Sequence, residues 1–147
     1  MNYIENISAI DCQAGNHMDP APNTMLIQIS DVCGWVPTPK YNFKEVHRFE
    51  FMDVEVGDEL EEVGISDEQA TELVRLLQHA LNNNMNVVVH CVAGICRSGA
   101  VVEVATMMGF NDCINYRQPN LMVKYKMMKV LGWTYGEERD GQIYSGN

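Results

Sequence analysis

Cys91 and Arg97 stand six positions apart in the run His90-Cys91-Val92-Ala93-Gly94-Ile95-Cys96-Arg97-Ser98-Gly99, and residues of these types at this spacing can handle a phosphate. A turn of this length leaving a strand can point its backbone N–H groups inward as an anion-binding nest. A helix starting at the end of the turn adds its unpaired N-terminal donors and dipole to the same spot. Gly94 permits a backbone conformation and a close approach that a side chain would block. The planar fork of Arg97 can hold two phosphoryl oxygens. Donors and a cation around a sulfur favour its thiolate, the nucleophilic form, so Cys91 is expected to attack a phosphorus seated above it. Ser98 can donate its hydroxyl to the sulfur when the sulfur later leaves. His90 is expected to orient the loop rather than to exchange protons. Val92, Ala93, Ile95, Cys96 and Gly99 complete the expected phosphate loop.

This chemistry needs a rigid strand before it and a helix after it, and the sequence offers both. MNVVV (85–89) is short, apolar and β-branched, a buried strand. AVVEVATMM (100–108) ends at Gly109, a natural residue to follow a helix. Its valines leave local propensity ambiguous, and it is assigned as a buried helix because a strand–loop–helix unit requires one. Upstream, MLIQIS (25–30) and EVHRFEF (45–51) read as strands. The segment 31–40 carries Gly34, Pro37 and Pro39 and is not regular. The acidic stretch 53–64 reads as a surface loop. Ser66 with Gln69 forms a capping-box pattern, followed by Ala70, Leu73, Val74, Leu77 and Leu81 at helical spacing up to Asn82-Asn83-Asn84. A last helix is expected from about Pro119 to Leu131, stopped by Gly132.

Strands alternating with helices imply an α/β fold with a central, mostly parallel sheet flanked by helices. The expectation is a single domain over 1–147, its core at about 24–133. Residues 1–22, read as a loop or loose lead-in, and 134–147 are expected to be peripheral, the tail packing through Trp133 and Tyr135 only.

Composition narrows the function classes. The net charge of −10 argues against a nucleic-acid binder, which needs clustered Lys and Arg. No apolar run approaches the roughly 20 residues that cross a bilayer. The first residues lack a basic segment followed by an apolar one, so no signal peptide and a cytoplasmic location are expected. The five cysteines, at 12, 33, 91, 96 and 113, form no CxxC pair and are expected to be reduced thiols. His90, Cys91 and Cys96 lack a proper fourth ligand for zinc, so neither a metal nor another cofactor is expected. His17, His47 and His79 are isolated and read as surface or half-buried structural residues.

His90, Cys91, Gly94, Arg97, Ser98 and Gly99 resemble the signature of the protein tyrosine phosphatase superfamily at each of its defined positions. That signature reads HCxxGxxR, then Ser or Thr, then Gly. Small size and mid-chain placement are similar to the dual-specificity branch and its compact members, over about Met25 to Trp133. The resemblance implies a phosphatase acting on phosphorylated proteins, on phosphotyrosine and more widely on phosphoserine and phosphothreonine, through a cysteinyl-phosphate. It also implies a general acid, an Asp on a loop upstream of the nucleophile. Asp53 and Asp58 both qualify. Asp53 is preferred because Phe51-Met52-Asp53 follows a strand directly, where a side chain is held more firmly. Alternative readings are a pseudophosphatase that binds phosphoprotein, or an enzyme for a non-protein phosphoester. Gln118 and Asn120 stand before the last helix, as a water-positioning pair or, better, a cap. Cys96 would be near enough to Cys91 to form a disulfide under oxidation.

Overall fold

The computed structural model describes residues 2–133. Five strands, β1 (Tyr3–Ser8), β2 (Thr24–Ser30), β3 (Glu45–Glu50), β4 (Asn86–Cys91) and β5 (Asn111–Asp112), form one sheet in the order β3-β2-β4-β1-β5. Every pairing is parallel. Parallel strands need crossovers, and the helices α1 (Ala9–Ala14), α2 (Asp67–Asn82), α3 (Arg97–Met108) and α4 (Leu121–Val130) lie on and between them. The expected α/β architecture is the one observed. Because all strands share a direction, the ends of β1, β2, β3 and β4 open onto one edge of the sheet, where crevices form in such folds.

The pleat decides what faces what. Met25, Ile27, Ile29, Val87, Val89 and Cys91 alternate onto one face, buried with Leu73, Leu77, Val101 and Met127 from α2, α3 and α4. Leu26 and Val88 point the other way, with Ile7 and with Cys12 of α1, while Met18 and Phe43 pack against them. All seven residues of β2 are buried, which explains its near-continuous apolar sequence.

One expectation about an individual element is met and two are refined. The α2 capping box is present, with Gln69 N donating to Ser66 Oγ at 3.1 Å and Ser66 N donating to Gln69 Oε1 at 2.9 Å. The valine-rich segment 100–108 is helical and starts earlier, at Arg97. Its residues from Arg97 to Val102 are all buried, so packing overrides the modest helix propensity of valine. The last helix begins at Leu121 rather than near Pro119, because the Asn120 side chain accepts from Val123 N and caps it.

One expectation is overturned. Residues 1–22 are not a peripheral lead-in: β1 lies between β4 and β5, with Ile4 and Ile7 buried, and α1 follows at once. Only two of its six residues are aliphatic, and Asn6 is buried as a polar group. That composition hid a central strand. The short strand β5 was likewise unforeseen. Trp133 does pack against the main core, and the companion expectation for Tyr135 and the rest of the tail falls outside the described residues.

Candidate active site

β4 delivers Cys91 to the open edge of the sheet, and the chain turns through Val92 to Cys96 before α3 begins at Arg97. Four of the five carbonyls of this turn are engaged. Val92 O accepts from Ala9 N at 3.1 Å, Ile95 O from Gln118 N at 3.1 Å, and Cys96 O from Asn120 N and Ala100 N, both at 2.9 Å. Gly94 O accepts from the Asn6 side-chain amide at 2.8 Å. In a trans peptide the N–H points opposite the C=O. Pinning these four carbonyls to the surrounding structure therefore turns the N–H groups of Ala93, Ile95, Cys96 and Arg97 toward the inside of the turn. That is the anion nest expected from the spacing.

Gly94 is required on two counts. Its φ is +77°, and an added Cβ would come within 2.3 Å of the Ile7 carbonyl carbon and 2.4 Å of Ser8 N. The end of β1 thus seats the loop by direct backbone contact, which no side chain could survive.

Cys91 is 2% exposed. Its Sγ accepts a hydrogen bond from Gly94 N at 3.3 Å and lies 3.2 Å from Ser98 Oγ. Arg97 is 4% exposed, and its Nη1 donates to Asp31 Oδ1 and to Phe51 O, each at 2.7 Å. Its Nε is buried and has no partner among the described residues. One corner of the guanidinium is therefore anchored, while the edge running from Nε retains donors for two oxygens of an anion. His90 Nδ1 lies 3.3 Å from Cys91 O, so that nitrogen carries the proton, and Nε2 has no partner among the described residues. Burial pushes the imidazole down to about 4, leaving it neutral. A neutral ring held on the carbonyl of the cysteine it precedes is placed to orient the loop.

The loop after β3 brings Asp53 to this turn. Its Oδ1 accepts from Asn120 Nδ2 at 2.7 Å. The Cys96 thiol is pushed up by burial first and then by the negative charge of Asp53, which marks how close the carboxylate lies to the turn. Asp58 is elsewhere. Its Oδ2 accepts from Glu55 N and closes a turn, and it borders a separate cavity of about 420 Å³ with Glu61, Glu62 and Lys126. The fold thus gathers Cys91, Arg97, Ser98, His90 and Asp53, and leaves Asp58 outside.

Three contributors were missed in the sequence. Asp31, which holds Arg97, lies in the irregular segment after β2, and its position directly after a strand of the sheet is the one signal that pointed to it. Asn6, which holds the loop from outside, is hidden in the unrecognised first strand. Glu55 was read as one of several loop acids. Asn120 is the cap that the sequence favoured, and in addition it grips Asp53. His47 and His79 both hydrogen-bond Glu45, at 2.9 and 2.8 Å, and hold its carboxyl below the usual range, a structural use far from the turn. Cys12 is pushed up to about 11 by burial and packs as an apolar group.

A family model described as "Tc-R-P: Polymorphic toxin system, DSP-PTPase phosphatase" matches residues 51–109, less than half of the chain. The matched segment begins at Phe51, whose carbonyl anchors Arg97, includes Asp53, and runs through the whole turn to the end of α3. Over this segment the chain is similar to dual-specificity-type protein tyrosine phosphatases. Among solved structures, one titled "Crystal structure of Tk-PTP in the active form" is similar at 14% identity and a TM-score of 0.46, over 88% of this chain and 78% of that one. No curated protein matches. Between Cys91 and Arg97 the turn carries Val92, Ala93, Gly94, Ile95 and Cys96, which bring no charge to the cradle beyond Arg97.

Proposed function

We propose that the chain is a cysteine-dependent phosphatase that hydrolyses phosphotyrosine in proteins, and in a wider reading phosphoserine and phosphothreonine. The observation that carries this reading is the buried Cys91 sulfur beneath a turn of inward amides, beside an arginine whose Nε has no partner among the described residues. In the first step the Cys91 thiolate forms a bond to phosphorus while the ester oxygen leaves with the bonding electrons and takes a proton from Asp53. In the second step a water gives its proton to Asp53 and its oxygen to phosphorus, and the sulfur leaves with support from Ser98 Oγ. The amides and the Arg97 edge hold the equatorial oxygens throughout, in place before charge develops on them.

The uncharged residues of the turn favour a phosphate monoester over a polyanionic phosphoinositide, and the acidity of the chain disfavours an RNA substrate. Phosphorylated proteins are therefore the proposed partners, and the reducing cytoplasm is the compartment in which Cys91 stays a free thiol. From the description of the matched family we carry over its phosphatase part, which the cradle supports. The test is steady-state hydrolysis of p-nitrophenyl phosphate by the wild type and by Cys91→Ser. The variant should lose at least about 10⁴-fold in kcat, the scale seen when a nucleophile is removed. Hydrolysis by the variant at a comparable rate would overturn the reading, and tight phosphopeptide binding by a wild type without turnover would favour a pseudophosphatase.

A further inference from the structure

The loop that carries Asp53 is exposed over much of its length, with Val56 70% and Leu60 56% exposed, so its own packing cannot fix the acid. What holds its first part is the start of α4. Both oxygens of Glu55 accept from that helix: Oε2 from Leu121 N and Oε1 from Met122 N, each at 2.9 Å. These amides belong to the first turn of a ten-residue helix, where they have no acceptor within the helix and where the dipole favours a negative charge. Asn120, 2% exposed, adds three bonds at the same point. Its Nδ2 donates to Asp53 Oδ1 at 2.7 Å and to Val54 O at 3.0 Å, while its Oδ1 accepts from Val123 N at 2.9 Å. The same short segment is tied to the turn under the phosphate, through Asn120 N to Cys96 O and Gln118 N to Ile95 O. The start of α4 is therefore a common anchor for nucleophile and acid.

We propose that Glu55 is a positioning residue that sets the reach of Asp53 toward the leaving group by docking the acid loop on the N-terminus of α4. This rests on the reading of Asp53 as general acid. Glu55 touches no reacting atom. Without it, the loop is left with the Asn120 contacts at one end and the turn closed by Asp58 at the other, and Asp53 samples positions from which proton delivery fails. Binding of the phosphate and attack by Cys91 do not depend on that contact. The cost should thus appear only where the leaving group needs the proton.

The experiment compares p-nitrophenyl phosphate, a good leaving group, with phenyl phosphate, a poor one, across wild type, Asp53→Asn, Glu55→Ala, Glu55→Asp and the Asp53→Asn/Glu55→Ala double variant. Glu55→Ala should slow phenyl phosphate by about tenfold or more and p-nitrophenyl phosphate far less, since small misplacements of a catalytic group cost rates on this scale. Glu55→Asp should restore part of the loss, and the double variant should be no slower than Asp53→Asn. Should Glu55→Ala fold poorly, Glu55→Gln, which retains one acceptor oxygen, reads out the same split. Equal loss on both substrates, or a double variant slower by the product of the single effects, overturns the positioning role while leaving the acid in place. If Asp53→Asn itself slows both substrates equally, the acid assignment falls and takes this inference with it.

Discussion

The turn from Cys91 to Arg97 is one continuous stretch of chain leaving a buried strand and entering a buried helix, whereas the loop from Met52 to Gly64 is mostly exposed and fixed by residues far along the sequence. In the first region the backbone itself is the functional surface. Its carbonyls are fastened outward by Ala9, Asn6, Gln118 and Asn120, so the amides have no freedom to turn away. In the second, the proposed chemistry rests on the Asp53 side chain, whose place depends on bonds from Asn120 to Asp53 and from the start of α4 to Glu55, across 66 or 67 positions. On the proposed mechanism, preorganisation is built in for anion binding and attack, and borrowed for proton transfer. A region of the first kind should show losses common to all substrates, and one of the second kind losses that depend on the substrate.

That contrast can be broken at either end. The largest effect after loss of the nucleophile itself is expected for Arg97→Lys. A lysine cannot both hold Asp31 and Phe51 O and offer two donors to the phosphate, so kcat/KM should fall by about 10²–10³ for good and poor leaving groups alike. Steady-state kinetics on the two aryl phosphates checks this, and a substrate-dependent loss would blur the distinction between the regions. Asp53→Asn should reduce hydrolysis of phenyl phosphate by about 10²-fold and leave p-nitrophenyl phosphate much less affected. A plot of log kcat against leaving-group pKa should steepen accordingly.

Stability sharpens the same comparison. His90 belongs to the first region, and its folded-state value of about 4 lies below the 6.5 of an unfolded histidine. The unfolded chain therefore takes up this proton first as pH falls. The stability contribution is complete above about 6.5, declines by up to about 3 kcal/mol as pH falls toward 4, and levels off below. Denaturant melts of wild type and His90→Asn between pH 7 and pH 4 should show a shallower decline in the variant, and parallel declines would refute it. The smallest effect is expected at Ser66, which caps α2 just beyond the acid loop. Ser66→Ala should cost about 1 kcal/mol in urea unfolding with kcat/KM unchanged on both substrates.

What was legible in the sequence follows the same divide. The cradle could be read because its determinants are contiguous: an apolar strand, a cysteine, a glycine, an arginine and a helix all fall within residues 85–109. Even the helical state of the valine-rich segment could be argued, from the need for a helix after the turn rather than from propensity. The candidate acid could be narrowed to Asp53 and Asp58, with Asp53 preferred for its place directly after a strand, whereas the bond from Asn120 that holds Asp53 was out of reach, since sequence alone could assign Asn120 only as a cap. Asp31 and Glu55 had no local signature, since their roles are defined by partners 66 positions or more away. The first strand was lost because its buried Asn6 satisfies the loop rather than the core. Apolar periodicity has no way to register such a residue.

Rapid chemical quench during turnover, followed by mass analysis of the peptide that carries residue 91, tests the central claim most directly. The account predicts a transient phosphoryl group on that sulfur in the wild type, accumulating when a poor nucleophile replaces water in part, and none in Cys91→Ser. Phosphate release with no adduct on the cysteine at any time in the reaction would contradict it.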